Sequence, residues 1–142
     1  MECEFPSVNS NKDEIIKYFR ETKTIAVVGA SPKPEKDSHK VAKYLRDVGY
    51  KMIPIYPKEE EILGQKVYRN LLEIDEPVDM VVVFRKPEVV DAVVDACIKR
   101  GDVKVLWTQK GIVNNKAAEK AEAAGISVVQ NQCAMVEHRN LM

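Results

Sequence analysis

Short apolar runs alternate along the chain with longer segments whose apolar residues recur at helical spacing. Continuously apolar runs of this length are typical of strands that are buried on both faces of a parallel sheet. They predict five strands, at residues 24–28, 51–55, 78–84, 103–107 and 126–129. The periodic segments predict helices at residues 10–22, 38–48, 70–74, 87–100 and 115–124. Ser10 and Ser38 are interpreted as the N-caps of the first two helices.

This order of elements predicts an α/β fold, in which a doubly wound, parallel, five-stranded Rossmann-like sheet carries helices on both faces. The length of 142 residues fits a single domain. We expect a leader and helix over residues 1–23 and the Rossmann-like domain over residues 24–142. In such a sheet the ligand crevice lies outside the carboxyl ends of the strands, so the segments that follow the strands are the ones to examine for function.

The segment after the first strand has the chemistry of an anion site. The apolar run stops at Gly29, and a small, basic loop leads to a helix that Ser38 would cap. Free N–H groups at a helix N-terminus attract phosphate, which favours a nucleotide ligand. The dinucleotide pattern G-x-G-x-x-G is incomplete, because Ala30 and Ser31 follow Gly29, and this argues against NAD or FAD. The alternative is that Gly29 merely permits a tight turn.

The segment after the second strand carries a lysine where NAD-binding proteins commonly place an acidic residue. Here Tyr56 and Pro57 lead to Lys58. A lysine suits a ribose that carries a phosphate, as in coenzyme A (CoA) or NADP. Lys33 and Lys36, in the first loop, are placed to neutralise a pyrophosphate. In the alternative interpretation all three lysines are ordinary solvated loop residues.

The third and fourth strands also end on residues that suit a ligand. Phe84 offers an aromatic surface to an adenine or a pantetheine arm, and Arg85 offers a fork of donors to a phosphate or carboxylate. After Trp107, the polar side chain of Gln109 precedes Gly111, which permits close approach to a ligand. Alternatively, Phe84 and Trp107 are core residues and Arg85 is a charge at a helix entry.

The overall charge excludes strong electrostatic steering to nucleic acid or to an anionic membrane, because 22 Lys and Arg residues balance 22 Asp and Glu residues. No apolar run approaches the roughly 20 residues that cross a bilayer, and the first residues lack a signal pattern. We therefore expect a cytoplasmic protein. Its three cysteines, Cys3, Cys97 and Cys133, are odd in number and fit reduced thiols.

We expect no catalytic residues and no metal site. Ser31 and Ser38 have no evident histidine partner, although His39 adjoins Ser38. Cys133 and His138 are too few for a closed zinc site, and a histidine in the tail is expected to be solvated. Cys133 follows the last strand, so it is either a packing residue or a thiol near the ligand. Acidic residues 59–61 are interpreted as an exposed helix start.

Several motifs together resemble a known family, the small stand-alone CoA-binding proteins related to the N-terminal domain of the succinyl-CoA synthetase alpha subunit. The resemblance covers residues 24–137. The motifs are V-V-G-A-S-P-K-P-x-K-x-S at residues 27–38, P-I-Y-P-K at 54–58, I-L-G-Q-K-V-Y at 62–68, P-V-D-M-V-V-V-F-R at 77–85, W-T-Q-K-G-I-V at 107–113 and N-Q-C-A-M-V-E-H at 131–138.

The resemblance implies which residues contact which part of CoA. The pyrophosphate region would lie against Gly29, Ala30, Ser31, Lys33 and Ser38. Lys58 would meet the phosphorylated adenosine end, Phe84 and Arg85 would line the crevice, and Gln109 with Gly111 would approach the pantetheine arm. Two positions depart from the family pattern, Tyr56 for asparagine and Lys110 for an apolar residue.

The resemblance implies binding of CoA or an acyl-CoA without independent ligase activity, because the ligase relatives need a phosphorylated histidine and a nucleotide-grasping partner outside this domain. Two other functions remain open. An NADP-dependent oxidoreductase would share the fold and Lys58 but would need a proton donor near the nicotinamide. A CoA-responsive regulatory or subunit-like module would dock to another protein. A homo-oligomer is also possible.

Overall fold

The computed structural model describes residues 5–142. Its five α-helices are α1 (Lys12–Glu21), α2 (Asp37–Asp47), α3 (Pro87–Arg100), α4 (Asn115–Ala123) and α5 (Ala134–Leu141). Its seven strands are β1 (Thr24–Val28), β2 (Lys51–Ile55), β3 (Glu61–Ile62), β4 (Gln65–Lys66), β5 (Met80–Val83), β6 (Val105–Thr108) and β7 (Ser127–Val129). One turn of 3₁₀-helix spans Leu71–Glu73.

Five of these strands form one parallel sheet in the order β2-β1-β5-β6-β7. Strand β2 lies on one side of β1, and β5, β6 and β7 are added in turn on the other side of β1. The order therefore reverses between β1 and β5, where Val28 pairs with Val83. This confirms the predicted doubly wound, Rossmann-like, single-domain α/β fold and locates its crevice.

The sheet separates two apolar cores because alternate strand residues point to opposite faces. On one face, Ala26 and Val81 pack with residues of α3 and α4. On the other, Val27 and Trp107 pack with residues of α1, α2 and α5. The Phe19 ring of α1 lies 5.2 Å from the Trp107 ring, measured between centroids. The helix before β1 is thus built into the second core. None of the helices in residues 5–142 is long and apolar enough to span a membrane.

Both predicted N-caps were wrong, because each serine makes a different hydrogen bond. Asn11 caps α1 in a reciprocal pair with Glu14, whereas Ser10 donates its hydroxyl proton to the carbonyl oxygen of Val128 at 2.8 Å. Helix α2 begins at Asp37, after an N-cap residue, Lys36, that makes no side-chain cap bond. The Ser38 hydroxyl oxygen instead accepts from the Ser31 N–H at 3.2 Å.

Two elements were absent from the sequence-based expectation. Residues 59–61 do not start a helix but lead into a hairpin of β3 and β4, in which Leu63 and Gly64 both have positive φ, 54° and 74°. Two consecutive residues with positive φ form the tight hairpin turn whose twist matches that of the strands. Asparagine or glycine is the usual first residue of such a turn, so Leu63 does not identify it in the sequence. Helix α5 was also missed, because Ala134 is its only buried residue and the apolar periodicity is weak.

Candidate functional site

The backbone of β1 approaches the backbone of β5 closely where the sheet order reverses. Gly29 has a φ of 90°, and its N–H donates to the Ile55 carbonyl at 2.8 Å. A Cβ atom built on Gly29 would lie 2.6 Å from the Phe84 carbonyl oxygen and 3.1 Å from Cδ of Arg85. Real side chains do not tolerate such contacts, so this position requires glycine for its space as well as for its φ.

The loop that follows Gly29 is held by its own hydrogen bonds. The Ser31 hydroxyl accepts from the Lys33 N–H at 3.1 Å, and Nδ1 of His39 donates to the Ser31 carbonyl at 2.8 Å. Ser31 and Ser38 are buried and bond to each other, while Lys33 is exposed. Ala30 is fully buried in the core, so neither its side chain nor its backbone is exposed to a ligand in this structure.

A cavity of ≈ 540 Å³ opens beside this loop, between α2 and the ends of β5 and β6. Four of its side chains are cationic and one is acidic; most of the others are apolar. The volume lies within the range of small-molecule sites. The cations are Lys40, Arg85, Lys86 and Lys110, the acid is Asp37, and the apolar members are Val41, Phe84, Ile112 and Met135. The arrangement is a basic rim around an apolar interior, which suits a ligand with phosphate groups and an apolar arm.

The loops after β6 and β7 are joined across one edge of this cavity. Gln109 is only 5% exposed, and its Oε1 atom accepts from the N–H of Ala134, the first residue of α5. The Gly111 N–H donates to Oδ1 of Asn131 at 2.7 Å. Gln109 lines the cavity, whereas Gly111 is exposed and does not. Cys133, the N-cap residue of α5, is half-buried in the cavity wall.

A second cavity of ≈ 240 Å³ lies between the end of β2 and α3. Tyr56, Pro57, Arg69 and Arg85 contribute to its wall, together with apolar residues of α3. Arg85 lines both cavities, so the two adjoin at its side chain. The exposed Lys58 follows Tyr56 and Pro57 in the loop that borders the second cavity.

The structure therefore brings part of the predicted site together. Phe84, Arg85 and Gln109 share the larger cavity, and Tyr56 and Arg85 share the smaller one. The remaining predicted residues lie nearby, outside the cavity walls: Gly29, Ala30, Ser31, Lys33, Ser38, Lys58 and Gly111. Ligand binding by all these residues stays a prediction.

Sequence reasoning assigned no binding role to four cationic residues around the cavities, Lys40, Arg69, Lys86 and Lys110. Lys110 was noted only as a departure from the family pattern, and two of the other three had a usable signal. Lys86 directly follows Arg85 after a strand, and Lys40 lies in the first turn of the helix that the basic loop enters. Arg69 had none, because its place depends on how the segment after the β3–β4 hairpin packs beside β2.

The expectation of a solvated tail histidine was wrong. His138 is half-buried on α5, where its ring lies between 5.0 and 5.7 Å from the rings of Phe19, Tyr44 and Tyr50. Nδ1 of His138 is hydrogen-bonded to the Tyr44 hydroxyl at 2.8 Å. Burial lowers the pKa of His138 because a charged ring is less well solvated there.

The cysteines differ in their surroundings. Cys97 is a residue of α3 and is buried in the core, where burial raises the pKa of its thiol to about 12. Cys97 and Cys133 form no disulfide within residues 5–142, and Cys3 lies outside the described residues. Over the same range, no three His, Cys, Asp or Glu side chains are grouped so that they would hold a metal ion.

Three known proteins resemble the chain over most of its length. The protein YneT of Bacillus subtilis is 39% identical over 130 residues, which cover 92% of this chain and 96% of YneT. A solved structure, a hypothetical protein from Pyrococcus horikoshii OT3, is 41% identical, with a TM-score of 0.90 over 99% of both chains. The ADP-forming acetate–CoA ligase of Methanocaldococcus jannaschii is 30% identical, and the match covers 92% of this chain but only 20% of the ligase.

The model of one protein family, described as a CoA binding domain, matches residues 23–139. This range contains the residues that line both cavities, Gly29, and every strand of the sheet. The chain therefore belongs to the CoA-binding-domain family.

Proposed function

We propose that this chain binds CoA, or an acyl-CoA, across the carboxyl ends of β1, β2, β5 and β6. The observation that carries the proposal is the pair of cavities that adjoin at Arg85, of which the larger has four cationic side chains at its rim and an apolar interior. CoA has the matching composition, with phosphate groups between a nucleoside and a mostly uncharged arm. Membership of the CoA-binding-domain family supports the same ligand.

The proposed orientation places each part of CoA against matching chemistry. The pyrophosphate lies at the start of α2, beside the loop that follows Gly29, where the first N–H groups of the helix and the helix dipole favour an anion. Lys33 and Arg85 neutralise its charge through charge-assisted bonds. Lys58 meets the ribose phosphate. The pantetheine arm extends over Phe84 towards Gln109, Gly111 and Cys133.

We propose a binding function without independent ligase activity. The chain corresponds to one fifth of the acetate–CoA ligase that it resembles, so the ligase has most of its length elsewhere. The chain contains two histidines. Nδ1 of His39 is occupied by the Ser31 carbonyl, and Nδ1 of His138 by the Tyr44 hydroxyl. These bonds support structural roles for both rings, and neither lines a cavity.

Native mass spectrometry tests the choice of ligand. The purified protein is mixed with equimolar CoA, acetyl-CoA, NADP and NAD, and the masses of the complexes identify what is bound. The proposal predicts one CoA or acetyl-CoA per chain and little of either nicotinamide nucleotide. A dominant NADP complex would support the oxidoreductase alternative instead. Absence of any complex would overturn the proposal.

A further inference from the structure

Arg69 connects the segment after the β3–β4 hairpin to the loop after β2. Its Nη1 atom donates to two backbone carbonyls of that loop, to Tyr56 at 3.0 Å and to Lys58 at 2.9 Å. Just before it, Tyr68 pairs with β2 like an added strand residue: its N–H donates to the Pro54 carbonyl, and its own carbonyl accepts from the Tyr56 N–H. Arg69 extends this attachment beyond the point where β2 ends.

The loop that Arg69 holds is otherwise exposed to solvent. Pro57, Lys58, Glu59 and Glu60 are all exposed, and Glu59 has a φ of 68°, in the left-handed region. Pro57 has no N–H to donate, and the backbone bonds of this segment lie at its two ends, from the Tyr56 N–H to Tyr68 and from the Val67 N–H to Glu60. A guanidinium bound to two carbonyls gives charge-assisted bonds, which are stronger than neutral ones. Arg69 is thus well placed to fix the path of the backbone through Lys58.

The charged and polar groups around Arg69 also affect whether it would bind a phosphate directly. Arg69 lines the smaller cavity together with Arg85. On the protein surface it also borders a recess that contains Glu60 and Glu73. Oε1 of Glu73 is already engaged by the backbone N–H groups of Arg69 and Asn70. Lys66 lies in the same recess, and Nη1 of Arg69 is already bonded to the carbonyls of Tyr56 and Lys58, which favours a positioning role for Arg69 over direct phosphate binding.

We propose that Arg69 is a positioning residue that sets ligand specificity: by fixing the loop that carries Lys58, it makes the site prefer a nucleotide with a phosphorylated ribose over the same nucleotide without that phosphate. This inference rests on the proposed CoA-binding function. It assigns the discrimination to a pair of residues, of which Lys58 meets the phosphate and Arg69 holds Lys58 in place. The two residues lie 11 positions apart in sequence.

The test measures dissociation constants of CoA and dephospho-CoA, which differ only in the ribose phosphate. They are titrated into the wild type, Arg69→Ala, Lys58→Ala and the double variant. Circular dichroism establishes that each variant is folded, as expected for changes at two exposed side chains. We expect Arg69→Ala to lower the preference for CoA about fivefold or more while dephospho-CoA binding stays within about twofold. In the Lys58→Ala background, Arg69→Ala should have no further effect on the preference.

Arg20→Ala is the control, because Arg20 is an exposed arginine at the end of α1 that lines neither cavity. It should leave the preference unchanged. An unchanged preference in Arg69→Ala, equal weakening of both ligands, or independent effects of the two single changes would overturn the inference. Equal binding of CoA and dephospho-CoA by the wild type would also overturn it and leave CoA binding intact. Failure of the wild type to bind either ligand would instead overturn the proposed function.

Discussion

Gly29 and Phe84 meet backbone to backbone at the reversal of the sheet order, where a Cβ on Gly29 would lie 2.6 Å from the Phe84 carbonyl oxygen. Both residues directly follow their strands, so this contact fixes the distance between the first two loops of the crevice. The larger cavity, with Phe84 in its wall, depends on that spacing.

Replacing Gly29 with alanine should destabilise the protein in two ways. An alanine at a φ of 90° is strained, and its methyl group would force β1 and β5 apart at their ends. We expect Gly29→Ala to lower the free energy of unfolding by about 2–4 kcal/mol. Urea denaturation followed by circular dichroism measures the change.

Gly125→Ala is the matched control for this substitution. Gly125 has a φ of 87°, but no atom lies within 4 Å of where its Cβ would be. Gly125→Ala should therefore lower the free energy of unfolding only by the cost of placing an alanine at this φ, about 1–2 kcal/mol. Equal losses in the two variants would show that the close approach to Phe84 has no energetic consequence.

Alkylation should distinguish the two described cysteines. Cys133 is half-buried in the wall of the larger cavity, whereas Cys97 is buried and its pKa is raised to about 12 by burial. Because the thiolate is the reactive form, iodoacetamide should label Cys133 well before Cys97 in the folded protein. The measurement is peptide mass spectrometry over a time course, in a Cys3→Ser variant so that the third thiol does not interfere.

CoA should slow the labelling of Cys133, because the proposed pantetheine arm ends near it. Labelling of Cys133 at an undiminished rate in saturating CoA would place the arm elsewhere. Labelling of Cys97 as fast as Cys133 would contradict the packing described for α3.

The protein should lose stability in mild acid through His138. Burial holds the folded-state pKa of His138 below its ordinary value of 6.5, so the unfolded chain binds the proton more readily. The stability that the neutral ring contributes is complete above pH 6.5 and is lost as the pH falls from 6.5 through the lower folded-state pKa. Of its ring neighbours, Phe19 carries no charge, and burial raises the pKa of Tyr50 to about 12, so neither supplies a negative charge to oppose this.

Melting temperatures between about pH 5 and 8 measure this effect, since that is the range in which histidines titrate. His138→Phe is the comparison, because phenylalanine keeps an aromatic ring in the cluster and cannot be protonated. We expect the wild type to lose more stability than the variant as the pH falls. Parallel pH profiles of the two proteins would contradict the account.

Periodicity and apolar runs were sufficient to predict the sheet and the position of its crevice. The run at β1 is buried at Ile25, Ala26 and Val27, and such continuous burial has few other solutions than a parallel sheet. The first residues of the helices were harder to predict, because an N-cap is defined by a single side-chain hydrogen bond that residue type alone does not determine. Ser38 resembles a cap in sequence, but its oxygen accepts from Ser31, seven residues earlier.

Prediction of the site was limited in a similar way. Arg85 was identified because it directly follows the strand predicted at residues 78–84, and position relative to a predicted strand is local information. The role of Arg69 depends on a parallel pairing between Ile55 and Tyr68 and on a hairpin turn with positive φ at Leu63. Leucine rarely adopts that conformation, so the turn, and with it the position of Arg69, could not be derived from residue type.

The most direct test of the central claim is calorimetric titration of CoA into the wild type and into Arg85→Ala. Arg85 lines both cavities, and the exposed Arg20, at the end of α1 before β1 begins, provides a control in Arg20→Ala. The account predicts one CoA per chain, binding unchanged in the control, and a loss of about 1–3 kcal/mol in Arg85→Ala from the missing charge-assisted bond. No binding by the wild type, or equal affinity in Arg85→Ala and the wild type, would contradict it.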